Sequence, residues 1–439
     1  MGVLLALCWG VAAAEAASEA ATDAAAKGPP PLPPRTEVNL HIHDVDKSGT
    51  LNARCLDGSP MKYWMRPASA AENATKFVIY FQGGGWCYTE DYCRSRSSGK
   101  IGSSKTWLNG SLSCGMFMSG ILSPNASVNW ASTWNAVYVP YCDGTSFSSD
   151  LAEPLATGGK SPVYYRGRAN MQAVLEDLLA NRGLGRATDV LIDGGSAGGL
   201  TTLIHADRVR SFLPPTVHFG AIGDAGWFRP DPALDLKSYG KNIETMWQVG
   251  NCSSNPACEA ANPGNTSVCG FAAGVFPHLT SNMFVMEGAY DSFQLANIMG
   301  FPCSSYGKSL AACTAAQNAS LQAYGAAMRT SIRAGLASTP HHVANSGAFV
   351  SSCIIHVQSA DNEAHGWDDA ARRFYDGSAW GKDAWNMVDS SAVGEAGKSP
   401  SEVVAQWFVH GKGAPVAASE RVFIQDVPFP GNPNCQLFT

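Results

Sequence analysis

The stretch Val190-Leu191-Ile192-Asp193-Gly194-Gly195-Ser196-Ala197-Gly198-Gly199 decides how this chain is read. Residues 190 to 192 are an apolar, strand-like run, and residues 194 to 198 fit the spacing G-x-S-x-G. That spacing marks a nucleophile elbow, in which a strand turns sharply into a helix and presents a serine hydroxyl at the strand's C-terminal edge. The turn leaves no room for flanking Cβ atoms, which is why glycines bracket the serine. Leu200 to Ala206 reads as the helix that follows, running toward Pro214-Pro215. The pattern therefore predicts a serine poised for acyl transfer, where a glycine-rich surface loop would lack the flanking strand and helix.

Working outward, four more β-branched or aromatic runs surround the elbow: Phe77 to Phe81, Ala136 to Val139, Val217 to Ile222 and Met283 to Met286. Near-continuous apolar strands are what a parallel sheet covered on both faces requires. Between the second run and the elbow strand, Ser161-Pro162 supplies a helix start. Met171, Val174, Leu175, Leu178 and Leu179 repeat at helical spacing, and Gly183 ends the helix. Strand, helix, strand, elbow, helix is the order of an α/β-hydrolase-like, doubly wound, mostly parallel sheet with helices on both faces. Residues 250 to 275, rich in Cys, Asn, Pro and Gly, read as a disulfide-pinned loop insertion.

A serine hydroxyl needs a base to take its proton and a third group to orient that base. In this fold the chain order is Ser, then Asp or Glu, then His. Asp291 follows the Met283 to Met286 strand on a loop, and Asp224 follows the Val217 to Ile222 strand in the same way, so both qualify as the acid, Asp291 by preference. His341, His342, His356, His365 and His410 all follow Asp291. His356 is the preferred base, because it ends the strand-like segment Phe349 to His356, which carries Cys353; His365 is the second choice. The oxyanion pocket is expected from the amide of Ala197 and from the glycine loop Gln82-Gly83-Gly84-Gly85-Trp86, which follows the first strand run. Each such donor contributes roughly 3 to 4 kcal/mol in a water-excluded site.

Composition excludes other classes. Among 439 residues only 15% are charged and the net charge is −6, so no polybasic surface suits nucleic acid. Residues 1–17 read as a signal peptide, apolar from Val3 to Ala14 and too short to span a bilayer securely; 18–37 reads as an Ala- and Pro-rich linker, and 38–439 as one α/β-hydrolase-like domain. Of 13 cysteines, the 12 beyond Cys8 suit complete pairing in an oxidising compartment, with local bridges Cys87 to Cys93 and Cys303 to Cys313. Asn73, Asn109, Asn125, Asn251, Asn265 and Asn318 are N-glycosylation acceptors. No cysteine and histidine spacing suits zinc. The calcium-loop-like start Asp44 to Thr50 has Cys55 where a bidentate glutamate is required. No cofactor is expected.

These motifs together resemble the pectin acetylesterase/Notum family of secreted serine carboxylesterases, from about Cys55 to Cys435. The markers are Gln82 to Cys87, Gly120-Ile121-Leu122-Ser123, Tyr141-Cys142-Asp143-Gly144, Tyr165-Arg166-Gly167, Gly194 to Gly199, Asp224-Ala225-Gly226, Ala289-Tyr290-Asp291, and Ser352-Cys353 followed by His356-Val357-Gln358-Ser359. The resemblance implies Ser196 as nucleophile, Asp291 as acid and His356 as base. It also implies an oxyanion pocket of Gly84 or Gly85, Trp86 and Ala197. Where this chain has Gly195 and Val357, the plant-type pattern has cysteine at both. The implied substrate is an O-acylated, most simply O-acetylated, extracellular or cell-wall polysaccharide such as pectin, acted on by a monomer without stable membrane insertion. Two alternatives stand beside it: a Notum-like deacylase removing a longer chain from a lipidated protein, and a secreted glycoprotein that binds glycans without turnover.

Overall fold

The computed structural model describes residues 41–46, 48–105, 107, 120–230, 235–301, 313–360, 367–368, 373–374, 385, 398–432 and 435. The expected signal segment 1–17, the linker 18–37 and positions Asn109, Cys303 and His365 lie outside these residues.

Nine strands form one sheet: β1 (His41–Asp44), β2 (Lys62–Arg66), β3 (Lys76–Phe81), β4 (Asn135–Val139), β5 (Asp189–Gly194), β6 (His218–Asp224), β7 (Met283–Gly288), β8 (Gly347–Ser351) and β9 (Val422–Ile424). Their spatial order is β1-β2-β4-β3-β5-β6-β7-β8-β9. The pairings from β4 through β9 are parallel, while β1 and β2 add an antiparallel edge. Every residue of β4, β5, β7 and β8 is buried. That is why these strands read as unbroken apolar runs rather than alternating ones. The strand order reverses at β3, where the chain leaves β4 for β5 on the other side. Open α/β sheets place their sites at such a switch, outside the carboxyl ends of the strands.

The helices used below are α1 (Glu90–Arg96), α2 (Gly167–Asn181), α3 (Ala197–Phe212), α4 (Tyr239–Val249), α5 (Ser292–Asn297) and α6 (Ala315–Leu336). The helix expected from Ser161 begins instead at Gly167, with Arg166 as its N-cap. Residues 161 to 165 are held extended: Val163 and Leu155 exchange backbone bonds of 2.9 and 2.8 Å, and the Tyr164 amide donates to the Leu56 carbonyl at 3.0 Å. These tertiary partners outcompete a local Ser-Pro start. The helix does end at Gly183, which has a left-handed φ of 86°.

Four disulfides lie among the described residues, Cys55–Cys142, Cys87–Cys93, Cys258–Cys269 and Cys353–Cys435. The local Cys87–Cys93 bridge is as expected, and Cys258–Cys269 pins the 250 to 275 insertion. Cys313 is disulfide-bonded. Pairing is not complete, however: Cys252 is a free, buried thiol. Burial in apolar surroundings pushes its pKa up, and its Sγ donates to the Met246 carbonyl at 3.5 Å, so it behaves as a packed core group. Among the described residues no helix is long and apolar enough to cross a membrane.

Candidate active site

Five parallel strands end at one place. β3 runs into the glycine loop, β5 into Ser196, β6 ends at Asp224, β7 leads to Asp291 three residues on, and β8 leads to His356. At the elbow, Ser196 has φ 59° and ψ −123°, and α3 starts at the next residue. A Cβ on Gly198 would lie 2.0 Å from the Phe81 carbonyl oxygen, so the first turn of α3 sits against the end of β3 only because that Cβ is missing. The Ser196 amide donates to the Asp224 carbonyl at 2.9 Å, fixing the strained serine to the next strand.

His356 and Asp291 meet at 2.6 Å, Nδ1 to Oδ2, from residues 65 apart in sequence. The other Asp291 oxygen accepts the Gln294 amide at 2.8 Å as the N-cap of α5, so the carboxylate is clamped from both sides. Phe293 stacks on the imidazole with centroids 5.3 Å apart, and Phe228 meets it edge-on at 6.4 Å. These rings restrict the plane of the His356 imidazole. His356 Nε2 is buried and has no hydrogen-bond partner among the described residues, which leaves the face toward a serine proton open. His356 was expected at the end of a strand-like segment, but β8 stops at Ser351. The Ser352 amide turns to Gln425 Oε1 at 2.9 Å and Cys353 is bridged to Cys435, so the base rides on a pinned loop past the strand.

Asp224, the other expected acid, does something different. Its Oδ2 accepts the amides of Gln358 and Ser359, both at 2.6 Å. It holds the loop that follows His356, while its carbonyl holds the Ser196 amide. Burial pushes its pKa up to about 6. Glu287, at the end of β7, accepts the Trp227 amide at 2.9 Å; burial and the adjacent Asp291 charge push its carboxyl well above the usual range. Asp193 is raised likewise, by burial and then by Asp224.

The glycine loop follows the end of β3, against which the first turn of α3 packs. Gly84 and Gly85 adopt φ values of 140° and 64°, which side chains avoid. Among the described residues, the amides of Gly84, Gly85 and Trp86 make no bond to other backbone. The Trp86 ring is buried and packs on Phe228 (4.8 Å), Tyr239 of α4 (5.4 Å) and Phe293 (6.2 Å). Trp86, Phe228, Tyr239 and Phe293 therefore form one ring cluster that packs against His356. A cavity of about 410 Å³ lies elsewhere, at the sheet edge between α6 and β9, lined by Arg333, Leu336, His342 and Val422.

The pectinacetylesterase family model matches residues 34–436. The chain belongs to this family. Pectin acetylesterase 11 of Arabidopsis thaliana is 31% identical over 316 residues, covering 70% of this chain and 77% of that protein. Pectin acetylesterase 5 of the same plant is 26% identical over 418 residues, covering 92% and 86%. The palmitoleoyl-protein carboxylesterase NOTUM of Mus musculus is 29% identical over 267 residues, covering 55% of this chain and 48% of that one. A solved structure of the Wnt deacylase Notum from Drosophila superposes with a TM-score of 0.69 at 21% identity, over 90% of this chain and 99% of that chain, which establishes the α/β-hydrolase-like fold.

For a pectinacetylesterase family member, the two departures from the plant-type pattern are one departure in space. A Cβ on Gly195 would lie 2.8 Å from Val357 Cγ1, so the two positions that carry cysteine in that pattern touch here as glycine and valine. Val357 has φ 63°, rare for a β-branched residue, and this turn directs the next two amides onto Asp224. The other described candidate histidines have different surroundings: His342 is buried between Ser346 Oγ and the Phe276 carbonyl, His341 faces the Ser281 carbonyl, and His410 is exposed at a helix end. Of the glycan acceptors, Asn251 and Asn265 are exposed, while Asn73, Asn125 and Asn318 are half-buried. The reading from sequence missed the holding role of Asp224 and the buried loop Asp143 to Ser149; the markers Asp224-Ala225-Gly226 and Tyr141 to Gly144 were the available signals.

Proposed function

We propose that this protein is a secreted serine esterase that removes short O-acyl groups, acetyl above all, from an extracellular polysaccharide such as pectin. That it is a carboxylic-ester hydrolase follows from its family. The observation that carries the finer reading is the 2.6 Å His356–Asp291 bond standing beside a strained serine elbow in a pectinacetylesterase family member. Ser196 Oγ attacks the ester carbonyl as His356 Nε2 takes its proton, and Asp291 steadies the imidazolium. The amides of Ala197, Trp86 and Gly84 or Gly85 receive the developing oxyanion. Collapse expels the sugar oxygen, which takes the proton from His356. Water then enters by the same base and releases the acid, so the serine is restored.

The ring cluster of Trp86, Phe228, Tyr239 and Phe293 supports a short acyl group, because a long chain would need that space empty. Export is supported by four disulfides, which persist in oxidising compartments, and glycosylation by the exposed acceptors Asn251 and Asn265. We take the working unit to be a monomer, and light scattering at the mass of a dimer would refute that. The test of the reading uses nitrophenyl acetate and nitrophenyl octanoate. Acetyl turnover exceeding octanoyl by about tenfold or more is the expected result. An octanoyl preference points to a lipid-chain deacylase, and no turnover of either by folded protein points to a glycan-binding protein.

A further inference from the structure

The glycine loop and the elbow come from different strand ends, yet an oxyanion pocket works only if their amides face one point. We propose that Ser146 is a positioning residue that ties these two halves together. The inference rests on the serine-esterase reading above. The Trp86 Nε1–H donates to Ser146 Oγ at 2.8 Å, and Ser146 Oγ in turn donates to the Ala197 carbonyl at 2.8 Å. A hydroxyl has one proton, so accepting from the indole and donating to the carbonyl fixes its orientation fully. Ser146 thus joins the side chain of one oxyanion residue to the main chain of the other.

The fold sustains an unusual turn to put that hydroxyl there. Ser146 and Phe147 have successive left-handed φ values of 52° and 57°. Neither is glycine, and L side chains rarely adopt this backbone conformation. The turn is held from inside: Asp143 Oδ2 accepts the amides of Thr145 and Phe147, each at 3.0 Å, and the Thr145 hydroxyl at 2.5 Å. The Ser146 amide donates to Tyr141 Oη at 3.0 Å. Both flanks are tied down as well. Cys142 is bridged to Cys55, and the Cys87 amide donates to the Gly144 carbonyl at 3.1 Å, next to the Cys87–Cys93 bridge. Ser146 is fully buried, so its hydroxyl serves these two partners and not solvent.

The test compares wild type, Ser146→Gly, Trp86→Phe and the double variant on nitrophenyl acetate, with a boronic acid as mimic of the tetrahedral intermediate. Glycine adopts φ 52° freely, so Ser146→Gly removes the hydroxyl without straining the turn; Trp86→Phe keeps an aromatic ring and removes the donor. Each single variant is expected to lose about 10- to 100-fold in kcat with KM within about twofold, and boronate affinity is expected to fall in step. The double variant is expected to fall no further than the worse single, because both cut the same bridge. A kcat unchanged in either single variant overturns the proposal, as do losses that multiply in the double or an effect confined to KM. Trp86→Phe alone decides the matter if Ser146→Gly does not fold. Ser196→Ala is run alongside: turnover equal to wild type there overturns the esterase reading itself, a result distinct from any of these.

Discussion

At the residue scale the two acids separate by what they touch. Asp291 contacts the imidazole, whereas the Asp224 carboxylate accepts the backbone amides of Gln358 and Ser359, so their replacements must differ in kind. Asp291→Asn keeps the shape but favours the wrong imidazole tautomer, and kcat on nitrophenyl acetate is expected to fall by about 10³- to 10⁴-fold with the fold intact. Asp224→Asn keeps an acceptor for Gln358 and Ser359 and is expected to cost less than about tenfold, the smaller misalignment. Its larger effect is on pH-dependent stability. Because the folded-state pKa of Asp224 is raised to about 6, protonation favours the fold; that contribution is complete below the ordinary carboxylate value and is lost as pH rises through 6. Wild type is therefore expected to lose on the order of 3 kcal/mol between pH 4 and pH 7 that the Asn variant does not, measured by urea denaturation at both pH values. Equal slopes for the two proteins would refute the buried, protonated state. Phe228→Ala opens the ring cluster next to the imidazole. The octanoyl to acetyl rate ratio is expected to rise by about tenfold or more, and an unchanged ratio would mean the rings do not limit acyl length.

At the scale of elements, much of the framework was legible because it is local. Five strands announced themselves as apolar runs, and the elbow as a serine between glycines, since both follow from steric needs within a few residues. Two boundaries were not legible, and both for tertiary reasons: the bridge of Val163 to Leu155 delays α2, and Gln425 with the Cys353–Cys435 bridge ends β8 before His356. The choice between Asp224 and Asp291 also needed the fold, since each follows a strand equally well. Ser146 was illegible altogether: its place depends on a turn whose φ values no composition predicts. The disulfides carry a prediction here. In the chain-entropy account a bridge stabilises more the longer the loop it closes. Cys55–Cys142 spans 87 residues and Cys87–Cys93 only 6. Replacing the first pair by serine is expected to cost about 4 to 5 kcal/mol and the second about 2. Equal losses in thermal denaturation would argue that native packing dominates instead.

At the scale of the whole molecule, the sheet gathers into one edge residues that the chain scatters from Gly84 to Ser359. Parallel strands deliver their loops to the same side, so the glycine loop, Ser196, Asp291 and His356 converge without being near in sequence. The central claim is that Ser196 hydrolyses acetyl esters of an extracellular polysaccharide, and its most direct test is acetate release from acetylated pectin by wild type and Ser196→Ala. The account predicts release by wild type that falls at least about a thousandfold in the variant. Equal release by the two proteins, or none by wild type that is folded and reacts at Ser196 with a serine-directed phosphonate, would contradict it.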